Sequence, residues 1–283
     1  MVQEMTGFAP EVSVLMEQPK TLTPPDLSLV GLLDRFPGLA DVRGLCFTGS
    51  LAAGWANPYS DIDAYAFTDQ ACDLPVDEST ETWETKTPDG LRWTTWMGRY
   101  GDNRIDLKLF PLDAPERALA PFLGAEEPEF CEVDAKVQDF IYRLSKALPV
   151  KGDDFFAEIR AKIASSSYAR ALARSVKIDA ENRLMDVAGQ LLAGDVASAR
   201  LSAVTSATWI TDVCLITAGE LCRSEKWLFR RLESTPSCGV TPDEFRSEVL
   251  DGPRPGEDDG SYARRVADWV RKKIILVEPK VVR

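Results

Sequence analysis

The chain has 283 residues, 45% hydrophobic and 28% charged, enough material for a sizeable buried core in one or two units. Asp and Glu outnumber Lys and Arg by 45 to 33, a net charge of -12, which argues against a polynucleotide substrate whose phosphates need a basic surface. There is no histidine, so histidine triads and histidine-ligated metals are excluded, and base chemistry falls to carboxylates, Lys, Tyr or Cys.

Residues 1–26 show little periodicity and read as an irregular arm, without the basic and apolar pattern of a secretory signal. Asp26 is expected to cap a helix over 27–36, stopped by Pro37-Gly38. Residues 42–48 read as a buried strand ending at Gly49. The next strand alternates, with Ile62, Ala64 and Ala66 on one face and Asp61, Asp63, Tyr65 and Phe67 on the other. An acidic, Thr-rich linker runs from there to a turn at Thr87-Pro88-Asp89-Gly90. Residues 91–100 and 103–110 then read as two strands, and in the second Arg104, Asp106, Lys108 and Phe110 share a face.

From about Asp134 the hydrophobic period changes from 2 to 3.6. Helical stripes run through 137–148, 155–176, 180–192 and 262–277. Residues 197–221 are apolar nearly all round, as the central helix of a bundle would be. The expectation is an irregular arm (1–26), an α/β unit with a small mixed sheet (27–130) and an all-helical bundle (131–283). Six cysteines without a C-x-x-C pair read as reduced and mostly buried. No run of about 18 apolar residues suggests a membrane span, so a cytoplasmic location is expected.

The chemistry concentrates in Phe47–Phe67. A strand ends at Gly49-Ser50, the ten residues Leu51 to Ser60 intervene, and Asp61 and Asp63 follow on one strand face. A later strand brings Asp106 to the same side. Strands lie about 4.8 Å apart, so three carboxylates on one face can converge on a point. Hard divalent cations relieve their repulsion, and Mg²⁺ suits a few carboxylates plus phosphate oxygens. Glycine lets backbone approach a phosphate closely, and a Ser hydroxyl beside it adds a ligand. Two Mg²⁺ ions held this way can clamp a nucleoside triphosphate for attack at its α-phosphate.

Gly-Ser, a gap, Asp-x-Asp and a third acid on a later strand resemble the DNA polymerase beta type nucleotidyltransferases. A small catalytic unit followed by a helical bundle is similar in layout to the aminoglycoside and related antibiotic nucleotidyltransferases. The resemblance implies that Gly49 and Ser50 hold the triphosphate and that Asp61, Asp63 and Asp106 bind magnesium. It also implies that Lys226, within the stretch 217–232, reaches the phosphates. The implied reaction moves a nucleoside monophosphate, AMP from ATP, onto a hydroxyl of a small molecule, with an aminoglycoside-like antibiotic as one acceptor. A protein or tRNA acceptor, or a silent nucleotide-binding regulator, is the alternative.

Other readings stay open at this stage. Some family relatives carry Glu where Asp106 stands, and with the shorter side chain here the general base is either Asp106 or, by position only, Glu181. Trp55, Trp93 and Trp96 are stacking residues or core. Arg104 and Lys108 contact phosphate, pair with Asp106, or solvate a strand face. Lys226 is otherwise a surface lysine beside Trp227.

Overall fold

The computed structural model describes residues 27–57, 59–124 and 133–281; the arm expected over 1–26 lies outside them. Helix α1 (Leu29–Arg35) is capped by Ser28, whose hydroxyl accepts from the Gly31 N–H at 3.1 Å. Ser28 thus fills the role expected of Asp26, which is also outside the described residues. Strand β1 (Gly44–Thr48) is buried along its length and runs into the single turn α2 (Gly49–Ala52). Strands β2 (Ile62–Phe67), β3 (Glu81–Lys86), β4 (Arg92–Tyr100) and β5 (Asn103–Phe110) follow.

With β6 (Leu148–Lys151) they form one mixed sheet in the order β3-β4-β5-β2-β1-β6. Only β2 and β5 run parallel; the other neighbouring pairs are antiparallel. Two of these strands escape the sequence pattern. The segment read as an acidic linker forms the edge strand β3, which is exposed almost throughout and so shows no apolar alternation. Its Glu81, Glu84 and Lys86 suit a sheet edge, where charge discourages pairing with another chain. Strand β6 comes from beyond residue 130, so the sheet draws on chain from both sides of the expected boundary.

The period-2 pattern sorts the two sheet faces. Ile62, Ala64, Ala66, Trp96 and Leu107 face α1, where Phe36 meets Trp96 edge-on at 5.2 Å between ring centroids. The Trp96 indole donates to the Pro75 carbonyl at 2.8 Å, so Trp96 is a core residue and not a stacking platform. The opposite face carries Tyr65, Phe67 and Phe110 against Phe140 of α4 (Ala135–Ser145); Phe110 and Phe140 are 4.6 Å apart.

Helices α3 (Ala114–Leu119), α5 (Asp153–Ser165), α6 (Tyr168–Leu192), α7 (Val196–Thr217), α8 (Leu228–Ser234), α9 (Pro242–Phe245) and α10 (Asp259–Val281) complete the described chain. The stripe read through 155–176 is split between α5 and α6. There the Ser166 hydroxyl donates to the Ile163 carbonyl at 2.8 Å and the Ser167 hydroxyl to the Phe122 carbonyl at 3.1 Å. Helix α7 packs between α6 and α10, and its last residues Ile210 to Ile216 are all buried, as expected of a central helix. The protein is therefore an α/β sheet unit followed by an all-helical bundle. Tyr65, Phe67 and Phe110 on the sheet belong to the same buried cluster as Val213, Val266 and Val270 in the bundle. Among the described residues no helix is long and apolar enough to cross a membrane.

Candidate active site

The parallel pairing of β2 with β5 sets the geometry. Its register places Asp63 opposite Asp106 and Tyr65 opposite Lys108, on the face that meets the bundle. Residues opposite one another on adjacent strands point the same way, so the two carboxylates stand side by side. Asp61 lies one residue before β2 and joins them through Arg104, whose guanidinium reaches its Oδ2 at 3.8 Å. The three acids singled out in the sequence are thus neighbours in space.

Gly49 explains the Gly-Ser turn. Its φ is +64°, in the left-handed region, and a Cβ there would lie 2.2 Å from Asp63 Oδ2. The missing side chain lets the Asp63 carboxylate sit directly against the turn. The Ser50 backbone carbonyl accepts from the Trp55 N–H at 2.8 Å, closing the loop that follows. A cavity of about 770 Å³ opens above this turn, lined by Gly49, Ser50, Asp61 and Asp63 from the sheet unit. Arg143, Arg223, Lys226 and Trp227 line its bundle side. Its volume falls within the roughly 300–1,000 Å³ typical of ligand sites.

Two arginines hold the acids in place. The Arg104 Nε and Nη2 donate to the two oxygens of Asp106 at 3.0 and 3.1 Å, the forked geometry that suits guanidinium and carboxylate. Arg143 from α4 donates to Asp63 Oδ1 at 2.9 Å and to Asp139 Oδ2 at 2.8 Å. Burial is the largest influence on Asp61, and with the charges of Asp106 and Asp63 it raises that carboxyl above its ordinary 3.8, against the pull of Arg104 and Lys226. Lys108 moves the other way: burial and the neighbouring Arg143 lower its ammonium below the ordinary 10.5.

The donor set of Asp61, Asp63 and Asp106 has the chemistry a hard divalent cation prefers. Among the described residues, however, no group of three acidic or thiol side chains is gathered closely enough to hold a metal ion. Arg104 engages both oxygens of Asp106, and Arg143 engages Asp63. Arg104 takes one lone pair of each Asp106 oxygen, and a magnesium ion there would compete with it for that carboxylate.

Lys226 sits on the short turn Glu225–Trp227 and lines the same cavity, its ammonium 5.0 Å from the Trp227 ring centroid. Trp55 packs against Trp227 at 5.8 Å, a contact between sheet unit and bundle at the cavity rim. Glu181 lies elsewhere, ion-paired to Lys177 at 2.8 Å, and lines neither this cavity nor the next one along the sheet. Arg143 and Arg223 were not legible as site residues. Arg143 reads as one half of an i, i+4 pair with Asp139 on an amphipathic helix, and only the docking of α4 on the sheet aims it at Asp63. Arg223 donates to Gln138 Oε1 at 3.1 Å, and its Nε lies 3.8 Å from the buried Asp212.

No protein-family model matches the sequence, and no curated protein matches it. Among solved structures the chain is similar to a nucleotidyltransferase-like protein from Exiguobacterium sibiricum. The two are 8% identical, with a TM-score of 0.46, over 87% of this chain and 73% of that one. A likeness so distant leaves the function to the geometry of the site.

Proposed function

We propose that the protein is an Mg²⁺-dependent nucleotidyltransferase that moves AMP from ATP onto a hydroxyl of a small molecule. One observation carries this reading: Asp63 and Asp106 are in register on parallel strands with Asp61 beside them, against a glycine turn whose missing side chain Asp63 occupies. Gly49 and Ser50 hold the triphosphate against this floor, and Lys226 with Arg223 faces it from the bundle. Asp61, Asp63 and Asp106 would hold the magnesium, which would supply charge stabilisation at the α-phosphate and the leaving group. The acceptor oxygen bonds to the α-phosphorus as the bond from that phosphorus to its bridging oxygen breaks. Pyrophosphate leaves with the electron pair toward Lys226 and Arg223. The hydroxyl proton passes to Asp106, freed of Arg104. The net charge of -12 also suits a polycation such as an aminoglycoside, so these antibiotics belong among the acceptors tested.

The test is radiolabelled ATP with Mg²⁺ and a panel of hydroxyl compounds, with protein and RNA fractions counted alongside. Label is expected on a small molecule, and Asp61→Asn is expected to lower turnover by at least about 10²-fold, because metal-borne charge stabilisation contributes several kcal/mol. Turnover in that variant within about twofold of the unmutated chain contradicts the assignment. Label on protein or RNA moves the acceptor to a macromolecule.

A further inference from the structure

A second cavity, of about 400 Å³, lies over β5, β4 and β3 on the same sheet face as the acids. It shares Ala135 and Asp139 with the first cavity, so the two adjoin at the Asp139–Arg143 pair. The strand order puts the Gly49-Ser50 turn beyond β2 on one side of the acids and this cavity beyond β5 on the other. Displacement at phosphorus needs the attacking and leaving oxygens roughly in line on opposite sides. With the phosphates over the glycine turn, the attacking hydroxyl must come from the side of the second cavity.

The walls of this cavity are flat and uncharged apart from lysines and the already paired Asp139. Tyr65, Trp83, Trp93, Phe110 and Phe140 supply rings, and Trp83 is 43% exposed on an edge strand that is otherwise mostly charged or Thr. Lys108 stands among them, its ammonium 5.6 Å from the Tyr65 ring centroid and 6.0 Å from that of Trp93. Among the described residues it has neither an ion pair nor a hydrogen bond, and the charges of Asp139, Asp63 and Asp106 act on it only from beyond ion-pair distance, against that of Arg143. A half-buried ammonium without an acceptor is unfavourable, and aromatic faces compensate only partly. Asp139, the nearest acid in the wall, is engaged by Arg143 at 2.8 Å. Lys136 adds a second positive charge to the lining. The cavity is thus a slot between rings that lacks one negative charge.

We propose that this cavity is the acceptor subsite, and that it takes a hydroxyl compound with a flat ring and a carboxylate or similar anionic group, which Lys108 binds. This rests on the nucleotidyl-transfer reading and narrows its acceptor: a polycation is the wrong partner for a pocket whose unpaired charge is a lysine. The ring lies against Trp83 and Trp93, the anion meets Lys108, and the hydroxyl points along β5 toward Asp106.

The probes are 4-hydroxyphenylacetate, its neutral methyl ester, the amine tyramine and an aminoglycoside, each titrated into the intact protein and followed by tryptophan fluorescence. 4-Hydroxyphenylacetate is expected to bind at least about tenfold more tightly than tyramine, the factor that about 1.4 kcal/mol supplies. Lys108→Gln is expected to erase that preference, and Trp83→Ala, on the exposed edge strand, to weaken all ring probes several-fold. Equal binding of acid and amine, or an unchanged preference in Lys108→Gln, overturns the proposal, as does tighter binding of the aminoglycoside. ATP binding is measured in parallel by calorimetry. ATP binding and transfer without selective ring binding sinks the subsite alone, whereas selective ring binding without ATP binding sinks the transfer reading and leaves the slot an anion-selective ring site.

Discussion

Asp63 is fixed from three sides: by its register with Asp106, by the Arg143 guanidinium at 2.9 Å, and by the empty space where Gly49 has no side chain. Gly49→Ala disturbs this in two ways. An L side chain at φ +64° costs about 1–2 kcal/mol, and the new Cβ must push the Asp63 carboxylate off the turn. The expected outcome is a stability loss of that size in urea unfolding and at least about a tenfold loss of ATP affinity, since the displaced acid belongs to the proposed binding site. A variant that loses stability but binds ATP unchanged separates the strain from the site and removes Asp63 from nucleotide binding. The arginines act on the same scale in the opposite sense. Arg104 and Arg143 neutralise carboxylates that would otherwise repel one another.

At the scale of elements, the bundle positions its contribution through a buried charge network. Asp212 on α7 accepts from Arg231 of α8 at 2.8 Å, with both side chains almost wholly inaccessible, and lies 3.8 Å from Arg223 at the cavity wall. Asp212→Ala leaves the Arg231 guanidinium buried without its partner and is expected to cost about 3–5 kcal/mol by chemical denaturation. A loss below about 1 kcal/mol means that the pair carries little of the bundle's stability. What the sequence revealed follows from the same physics. Strand β1 was legible as a short apolar run, buried on both faces, β2 and β5 by their alternation, and β4 by the turns that bound it. The placement of Asp61, Asp63 and Asp106 followed from that alternation once their strands were taken as neighbours. Strand β3 was hidden because an exposed edge strand needs no apolar residues, and β6 because four residues are too few to display a period. Arg143, Arg223 and the Lys108 slot were invisible for a different reason. Each owes its role to the docking of one element on another, which no local pattern encodes.

For the whole molecule, the sheet and the bundle share one buried cluster, and both contribute to the cavity above the glycine turn. The acids come from the sheet, whereas Arg143, Arg223 and Lys226 come from helices and turns packed upon it. Asp61 and Asp63 reach this cavity from the sheet half and Arg143, Arg223 and Lys226 from the helical half, so the proposed reaction lies at their junction. The chain as a whole is acidic, with a net charge of -12, and the cavity lining sets Arg143, Arg223 and Lys226 against Asp61, Asp63 and Asp139. Calorimetric titration of ATP into the intact chain, with and without Mg²⁺ and in Asp63→Asn, addresses the account at its root. The expected result is saturable ATP binding that depends on Mg²⁺ and weakens at least about tenfold in the variant. ATP binding of equal strength without the metal and in Asp63→Asn would contradict it.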